Sequence, residues 1–195
     1  MTERLVVRCW EPRDAPLLKE AVDESIAELL PWMPWAADEP QPLEAKVQLL
    51  RTFRGRFDLG KDFVYGIFAA EETAAVGGTG LHPRVGDEAF EIGYWVRTSR
   101  AGRGYATEAA AALTRVAFEL CGVDRVEIRV DPANAPSLAV PRKLGFVQEA
   151  TLLRRLWQPE PRDVVVWSLF ADAVPESPVA TARLEAYDAA GARVP

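Results

Sequence analysis

Histidine and cysteine are scarce in this chain, which has one histidine and two cysteines among 195 residues. Cys9 and Cys121 are far apart and neither stands in a C-x-x-C spacing, so the pattern excludes a disulfide framework and a thiolate metal site. Both are interpreted as small buried hydrophobic residues. We therefore expect no bound metal ion.

Long apolar runs are also missing. No stretch of about 18 apolar residues could span a bilayer, and residues 1–4 lack the apolar centre of a signal peptide. The sequence predicts a cytoplasmic protein without a membrane partner. The net charge of −6 opposes general binding to nucleic acid and is compatible with an amine partner. A homodimer is left open.

The chain is long enough to bury the core of one domain. We expect that domain over residues 1–172, followed by a tail over 173–195 that is disordered or forms one short helix, because it is rich in alanine and proline. The periodicity predicts strands over 4–10, 62–70, 74–81, 89–96, 125–130, 146–157 and 163–170, and helices from 14, over 42–60, 107–121 and 137–144.

The most informative segment is a strand that ends at Val96 and leads through a glycine-rich loop into an alanine-rich helix. The first amides of a helix have no partner within it and lie at the positive end of its dipole, so they bind anions. Gly102 and Gly104 allow a ligand to approach the backbone. No Lys-Ser/Thr pair follows Gly104, which excludes a nucleoside-triphosphate loop. The loop therefore predicts a site for the phosphates of a cofactor.

Six strings in this order resemble the RimJ/RimL-type N-acetyltransferases of the GNAT superfamily, over about residues 3–172. The strings are Leu29-Leu-Pro-Trp-Met-Pro-Trp35, Glu91-Ile-Gly-Tyr-Trp95, Gly102-Arg-Gly-Tyr-Ala-Thr-Glu-Ala109, Asn134-x-x-Ser137, Lys143-Leu-Gly-Phe146 and Arg162-Asp-Val-Val-Val-Trp-Ser-Leu169. The resemblance implies an α/β (α+β) fold, a single GNAT domain with a central mixed, mostly antiparallel sheet of about seven strands flanked by helices.

The same resemblance implies acetyl-coenzyme A as the cofactor. The family's pyrophosphate signature, Gln/Arg-x-x-Gly-x-Gly/Ala, falls on residues 101–106, where Gly104 and Ala106 match and Ala101 departs from the pattern. Arg100 or Arg103 would then supply the positive charge. In the family, the strand that carries Trp95 and Val96 splays from its neighbour and binds the pantetheine arm. The residues assigned to the cofactor are Trp95, Val96, Ala101, Gly102, Arg103, Gly104, Tyr105, Ala106, Thr107, Asn134 and Ser137.

Two side chains are candidates for catalysis. An amine must lose a proton before it attacks the thioester, and Glu91 is predicted to accept this proton through a water molecule. The alternative interpretation is that Glu91 is a solvent-facing strand residue. Ser137 is predicted to donate a proton to the leaving thiolate, and its alternative is a helix cap. His82, which precedes Pro83 in a predicted turn, is interpreted as a loop residue rather than a base. Trp32 and Trp35 either line an acceptor pocket or fix the irregular segment to the core.

Three function classes remain at this point. The first is an acetyl-coenzyme A-dependent N-acetyltransferase that acts on a protein N-terminus, as the resemblance favours, or on a small-molecule amine such as an antibiotic, amino acid or polyamine. The second is a non-catalytic acyl-coenzyme A-binding module. The third is a dinucleotide-binding oxidoreductase, which is disfavoured because Thr107 occupies the third glycine position and the chain leaves no room for a substrate domain.

Overall fold

The computed structural model describes residues 1–156, 160–188 and 190–194. Seven strands form one mixed sheet in the order β1-β2-β3-β4-β5-β7-β6. Every neighbouring pair is antiparallel except β4 and β5, which are parallel. The strands are β1 Leu5–Cys9, β2 Phe63–Ala69, β3 Ala75–His82, β4 Ala89–Val96, β5 Arg125–Val130, β6 Val147–Leu156 and β7 Arg162–Phe170. The predicted end of β6 at Trp157 lies outside the described residues.

Within the described residues, five α-helices flank this sheet, which confirms the predicted fold class. They are α1 Ala15–Asp23, α2 Ile26–Leu29, α3 Leu43–Asp58, α4 Tyr105–Glu119 and α5 Ala135–Lys143. The buried alanines of α4 pack with Ile92 and Val126 of the sheet in the largest core cluster. Side chains of α1 and α3 pack with Phe68 and Trp95 in a second cluster. Because successive strand residues point to opposite faces, β4 contributes to both layers.

Helix starts differ from the predictions for identifiable reasons. Helix α4 begins at Tyr105, two residues earlier than predicted, because Gly104 precedes it in the left-handed conformation with φ of 82°. Helix α5 begins at Ala135 rather than Ser137, because the Asn134 side chain accepts a hydrogen bond from the Ser137 amide and so caps the helix.

The C-terminal segment is more structured than predicted. It forms two 3-10 helices, Ala171–Glu176 and Pro178–Thr181, and Tyr187 pairs with Arg193 in an isolated bridge. Val179 is fully buried in the same core as α4, and this burial fixes the segment. Prolines within the segment prevent a longer regular helix. A domain boundary at 172 stays a prediction.

The two cysteines are free, and one expectation about them is wrong. Cys9 is half-buried, whereas Cys121 is exposed because α4 has already ended at Glu119 and the chain turns before Gly122. Burial raises the pKa of the Cys9 thiol to about 11. In the described ranges no helix is long and apolar enough to cross a membrane.

Candidate active site

A cleft opens in the middle of the sheet because β4 and β5 pair over only three residues. Ala89 to Glu91 lie opposite Arg125 to Glu127, and beyond Glu91 the two strands have no further paired residues. A cavity of about 710 Å³ lies at this divergence. It is lined by Trp32, Met33, Arg84, Glu91, Ile92, Gly93, Tyr94, Ile128, Arg129, Val130, Asp131, Asn134, Ser137, Leu152, Arg155, Leu156 and Val164. The predicted splay of β4 from its neighbour is present.

The backbone of β4 has one free edge along this cleft. The Arg97 amide donates to the Val76 carbonyl at 2.9 Å, in register with the pairing of β3 and β4. Because hydrogen-bonded and non-hydrogen-bonded pairs alternate in an antiparallel ladder, Trp95 also turns its backbone groups toward β3. Tyr94 and Val96 therefore turn theirs toward the cleft. These two residues therefore have backbone groups free for a ligand, and the assignment of Trp95 and Val96 to the cofactor stays a prediction.

The loop between β4 and α4 is an open cradle of amides. Residues 101–104 are exposed, and both Gly102 and Gly104 adopt positive φ angles. A Cβ atom on Gly102 would meet nothing within 4 Å. Across the described residues, the amides of 102–107 donate to no backbone carbonyl. This arrangement fits the pyrophosphate of a coenzyme, which needs several amides and close backbone approach.

Neighbouring side chains hold the cradle from two sides. Arg4 donates from Nη1 to the carbonyl of Arg103 at 3.1 Å and from Nε to Glu108 in the first turn of α4 at 2.7 Å. On the other side, Arg97 pairs with Glu24 at the end of α1, which also accepts from the amide of Ser99 at 2.8 Å. These contacts fix the entrance to the loop without occupying the amides of residues 102–107.

Ser137 and Tyr94 join α5 to β4 across the cleft. The Ser137 hydroxyl donates to the Tyr94 hydroxyl at 3.2 Å, and the Tyr94 hydroxyl donates to the Ser137 carbonyl at 3.0 Å. Burial raises the pKa of Tyr94 to about 12, so this hydroxyl keeps its proton at neutral pH. Asn134, not Ser137, caps α5, so the cap that we considered for Ser137 is wrong. The Asn134 side-chain oxygen is engaged in this cap, and the residue still lines the cavity.

Glu91 lies at the point where the strands separate, but its carboxylate is engaged. Arg84 donates from Nε to Oε2 at 3.0 Å and from Nη2 to Oε1 at 2.5 Å. Arg129 Nε lies 3.8 Å from the same Oε2 atom. The hydrogen bond to Glu91 is the main cause that raises the pKa of Arg84. Both oxygens that would accept a proton therefore already accept hydrogen bonds from a guanidinium.

His82 is not the turn residue that we predicted. It is the last residue of β3 and lies opposite Glu91, because the residue before a proline favours the extended conformation. Its Nδ1 atom lies 2.6 Å from Asp62 Oδ1. A carboxylate only accepts, so in the neutral ring Nδ1 carries the proton and Nε2 is the acceptor.

The two tryptophans of the irregular segment lie in different places. Trp32 lines the cavity, and the Arg162 guanidinium lies 5.8 Å from its ring centre. Trp35 packs edge-on against Trp95, with ring centres 5.9 Å apart. A buried pair between Lys46 of α3 and Glu39 fixes the end of this segment.

The sequence did not point to Tyr94 and Arg84, which line the cavity, or to Asp62, which contacts His82. Tyr94 stands inside the Glu91–Trp95 string, and its place in the alternation of the strand was the available signal. No local signal links Asp62 to His82, because the two residues are 20 positions apart and their contact comes from the pairing of β2 with β3.

The sequence of this chain is similar to known proteins over most of its length. The model of the Acetyltransferase (GNAT) domain matches residues 4–147. The chain is 29% identical over 154 residues to the [ribosomal protein uS5]-alanine N-acetyltransferase of Escherichia coli (strain K12), which covers 76% of this chain and 77% of that one.

Solved structures of acetyltransferases have the same fold as this chain. RimJ of Mycobacterium smegmatis, in complex with a coenzyme A disulfide, superimposes with a TM-score of 0.80 and 27% identity, covering 90% of this chain and 86% of that chain. RimL, a ribosomal L7/L12 alpha-N-protein acetyltransferase in complex with coenzyme A, shares the fold, with a TM-score of 0.79, 21% identity and coverage of 88% and 97%. The chain therefore belongs to the GNAT family of N-acetyltransferases, enzymes that use acetyl-coenzyme A.

Proposed function

We propose that this enzyme transfers the acetyl group of acetyl-coenzyme A to the N-terminal α-amine of a protein, with ribosomal proteins as the first class to test. The observation that carries the proposal is the cleft between β4 and β5, which has an amide cradle at one end and an open polar cavity at the other. The E. coli relative acts on the alanine of a ribosomal protein, which directs the proposal to protein N-termini.

The chemistry of the cleft supports an α-amine as the acceptor. An α-amino group has a pKa near 8, whereas a lysine or polyamine ammonium lies above 10. The cavity is also open, with Trp32 and Arg155 on its walls, so an extended peptide end can enter. Because the pKa of an α-amine is near 8, a modest base is sufficient to deprotonate it at neutral pH.

Residues of both sides of the cleft are given roles in this proposal. The amides of residues 102–107 hold the pyrophosphate, and the free edge of β4 at Tyr94 and Val96 orients the pantetheine arm. The hydroxyls of Ser137 and Tyr94, which contact each other across the cleft, are assigned to the leaving thiolate, to which one of them would turn as a hydrogen-bond donor. Proximity of the amine to the thioester then supplies much of the rate acceleration.

Thiol release from acetyl-coenzyme A, measured against a panel of acceptors, tests this function. The panel contains peptides with the N-terminal sequences of ribosomal proteins, the same peptides with blocked N-termini, and small amines such as polyamines and aminoglycosides. We expect release with free peptide N-termini and none with the blocked peptides, and mass spectrometry should place the acetyl group on the first residue.

Other results lead to different conclusions. Turnover with small amines alone would replace the protein acceptor by a small-molecule one. Binding of coenzyme A without turnover of any acceptor would favour the non-catalytic acyl-coenzyme A-binding module.

A further inference from the structure

We propose that His82, oriented by Asp62, is the general base that removes the proton from the acceptor amine. The inference rests on the proposed function, because it assigns a residue to the same site. It starts from the face of the sheet that is turned away from α4, where the structure brings together an imidazole, a carboxylate and a row of glycines.

The position of the ring is fixed by its Asp62 contact. Continuing the register of β2 and β3 by one residue places Asp62 directly opposite His82, so both side chains lie on the same face. The Nδ1–H donates to Asp62 Oδ1 at 2.6 Å. This hydrogen bond selects the tautomer that leaves a lone pair on Nε2, the arrangement that a general base needs.

The His82 ring lies over a row of glycines, one of which lines the cavity. A Cβ atom on Gly80 would lie 2.6 Å from His82 Nε2, and one on Gly93 would lie 3.6 Å from it. The ring therefore lies across these two glycines, in space that any side chain would fill. Gly93 lines the 710 Å³ cavity and precedes Tyr94, whose backbone faces the cleft. Nε2 thus lies beside one residue of the cavity lining, and the proposal places the acceptor amine within its reach.

Glu91, the carboxylate at the point where β4 and β5 separate, is less suited to accept the proton. Both of its oxygens accept hydrogen bonds from Arg84, and Arg129 lies close to one of them. The charged groups against the His82 ring are Asp62 beside it, Glu91 opposite it on β4, and Arg84 paired with Glu91. Nε2 accepts no hydrogen bond from any described residue. Glu91 and Arg84 are therefore assigned to the wall of the acceptor pocket.

The proton balance of the step is complete. The ammonium of the acceptor gives one proton to His82 Nε2, and the nitrogen lone pair forms the bond to the acetyl carbon. As the carbon–sulfur bond breaks, the second proton passes to the sulfur, and coenzyme A leaves as the thiol. His82 then returns its proton to solvent.

The first test is spectroscopic and does not depend on turnover. Because His82 is the only histidine of the chain, two-bond ¹H–¹⁵N spectra report this ring alone. We expect the Nδ1–H tautomer in the neutral wild-type ring and its loss in Asp62→Asn. Asp58→Asn is the matched control, since it removes a nearby carboxylate that pairs with Arg54 on the surface of α3. A wild-type ring protonated at Nε2 would overturn the inference.

The second test measures rates for an acceptor that the wild type acetylates. His82→Gln should lower kcat at neutral pH by ~10²-fold or more with unchanged coenzyme A affinity, and the loss should shrink at high pH, where the amine is already neutral. Asp62→Asn should lower kcat in the same direction and Asp58→Asn should not. Melting curves and coenzyme A binding establish that each variant is folded.

The outcomes separate the two claims. An active wild type whose folded His82→Gln variant keeps a rate within threefold at neutral pH would overturn the role of His82 alone. Absence of turnover by the wild type with every peptide and amine would contradict the proposed function, and this inference with it. A large loss in Glu91→Gln that recovers at high pH, with no loss in His82→Gln, would return the base to Glu91.

Discussion

The contacts of individual residues at the cleft distinguish between their possible roles. Ser137 is the clearest case, because the sequence left two roles open and the structure separates them. Asn134 caps α5, so the Ser137 hydroxyl is not needed for the helix. It is directed instead to the hydroxyl of Tyr94.

Replacing the Ser137 hydroxyl should therefore affect the rate and not the fold. We expect Ser137→Ala to lower kcat by about tenfold or more without recovery at high pH, since a thiolate becomes no easier to protonate there. Its melting temperature should stay close to that of the wild type. Asn134→Ala is the control for the helix, because loss of a cap costs roughly 1 kcal/mol of stability. A large stability loss in Ser137→Ala with an intact rate would return this serine to a structural role.

Adding one Cβ atom at Gly104 tests whether the glycine-rich loop binds coenzyme A. Its φ of 82° is strained for any other residue, so Gly104→Ala should cost about 1–3 kcal/mol of stability. Gly60→Ala is a matched control, because Gly60 also has a positive φ, with open space around it, and lies at the end of α3. We expect calorimetric titration to show coenzyme A affinity reduced at least tenfold in Gly104→Ala and unchanged in Gly60→Ala. Equal affinities in the two folded variants would place the phosphates elsewhere.

At the scale of elements, α1 supports the cradle through its last turn. Arg97, which follows β4, pairs with Glu24, and the Thr98 amide donates to the buried hydroxyl of Ser25 at 3.0 Å. The Arg97 and Ser99 hydrogen bonds lower the pKa of Glu24 to about 2. These contacts connect the end of α1 to the loop between β4 and α4.

The Glu24 pair should make part of the stability depend on pH. The folded pKa lies below the ordinary value of 4.5, so the contribution is complete above pH 4.5 and is lost as pH falls toward 2. The difference in melting temperature between wild type and Glu24→Gln should be constant from pH 7 to 5 and shrink below pH 4.5. Glu20→Gln, which removes the more exposed partner of the same arginine, should have a smaller effect. A difference that persists unchanged at pH 2 would contradict the assignment.

Elements with strong local signals could be predicted from the sequence. The alternation of apolar residues predicted β4 and β5 with the bounds that the structure has. The glycine-rich loop predicted the start of α4 to within two residues. The side-chain partners could not be predicted. Glu91 with Arg84 and His82 with Asp62 depend on strand register and on contacts across a turn, which no local pattern encodes.

The structure of the C-terminal segment also could not be predicted from local sequence. Its composition indicated disorder or one short helix, and the burial of Val179 against α4 decides its structure. The Arg115 side chain also donates to the Ala182 carbonyl at 2.6 Å and so fixes the segment to the helix. Tertiary contacts of this kind override local composition, because buried apolar area stabilises a segment that has no regular structure of its own.

For the whole molecule, selective ligand binding should appear as thermal stabilisation. Coenzyme A or acetyl-coenzyme A at 100 times its Kd should stabilise the folded state by about 2.7 kcal/mol, which corresponds to a rise of about 5–10 °C in Tm for a chain of this size. NAD should have no effect, because the loop lacks the third glycine of a dinucleotide site. Equal stabilisation by NAD would contradict the assignment of the cradle.

The central claim is that the divergence of β4 from β5 is the place where acetyl-coenzyme A and an amine meet. A crystal structure with coenzyme A tests it most directly. We predict the pyrophosphate on the amides of residues 102–107, the pantetheine arm hydrogen-bonded to the backbone of Tyr94 and Val96, and the sulfur near the hydroxyl of Ser137. Coenzyme A bound at any other surface, with the edge of β4 free, would contradict the account.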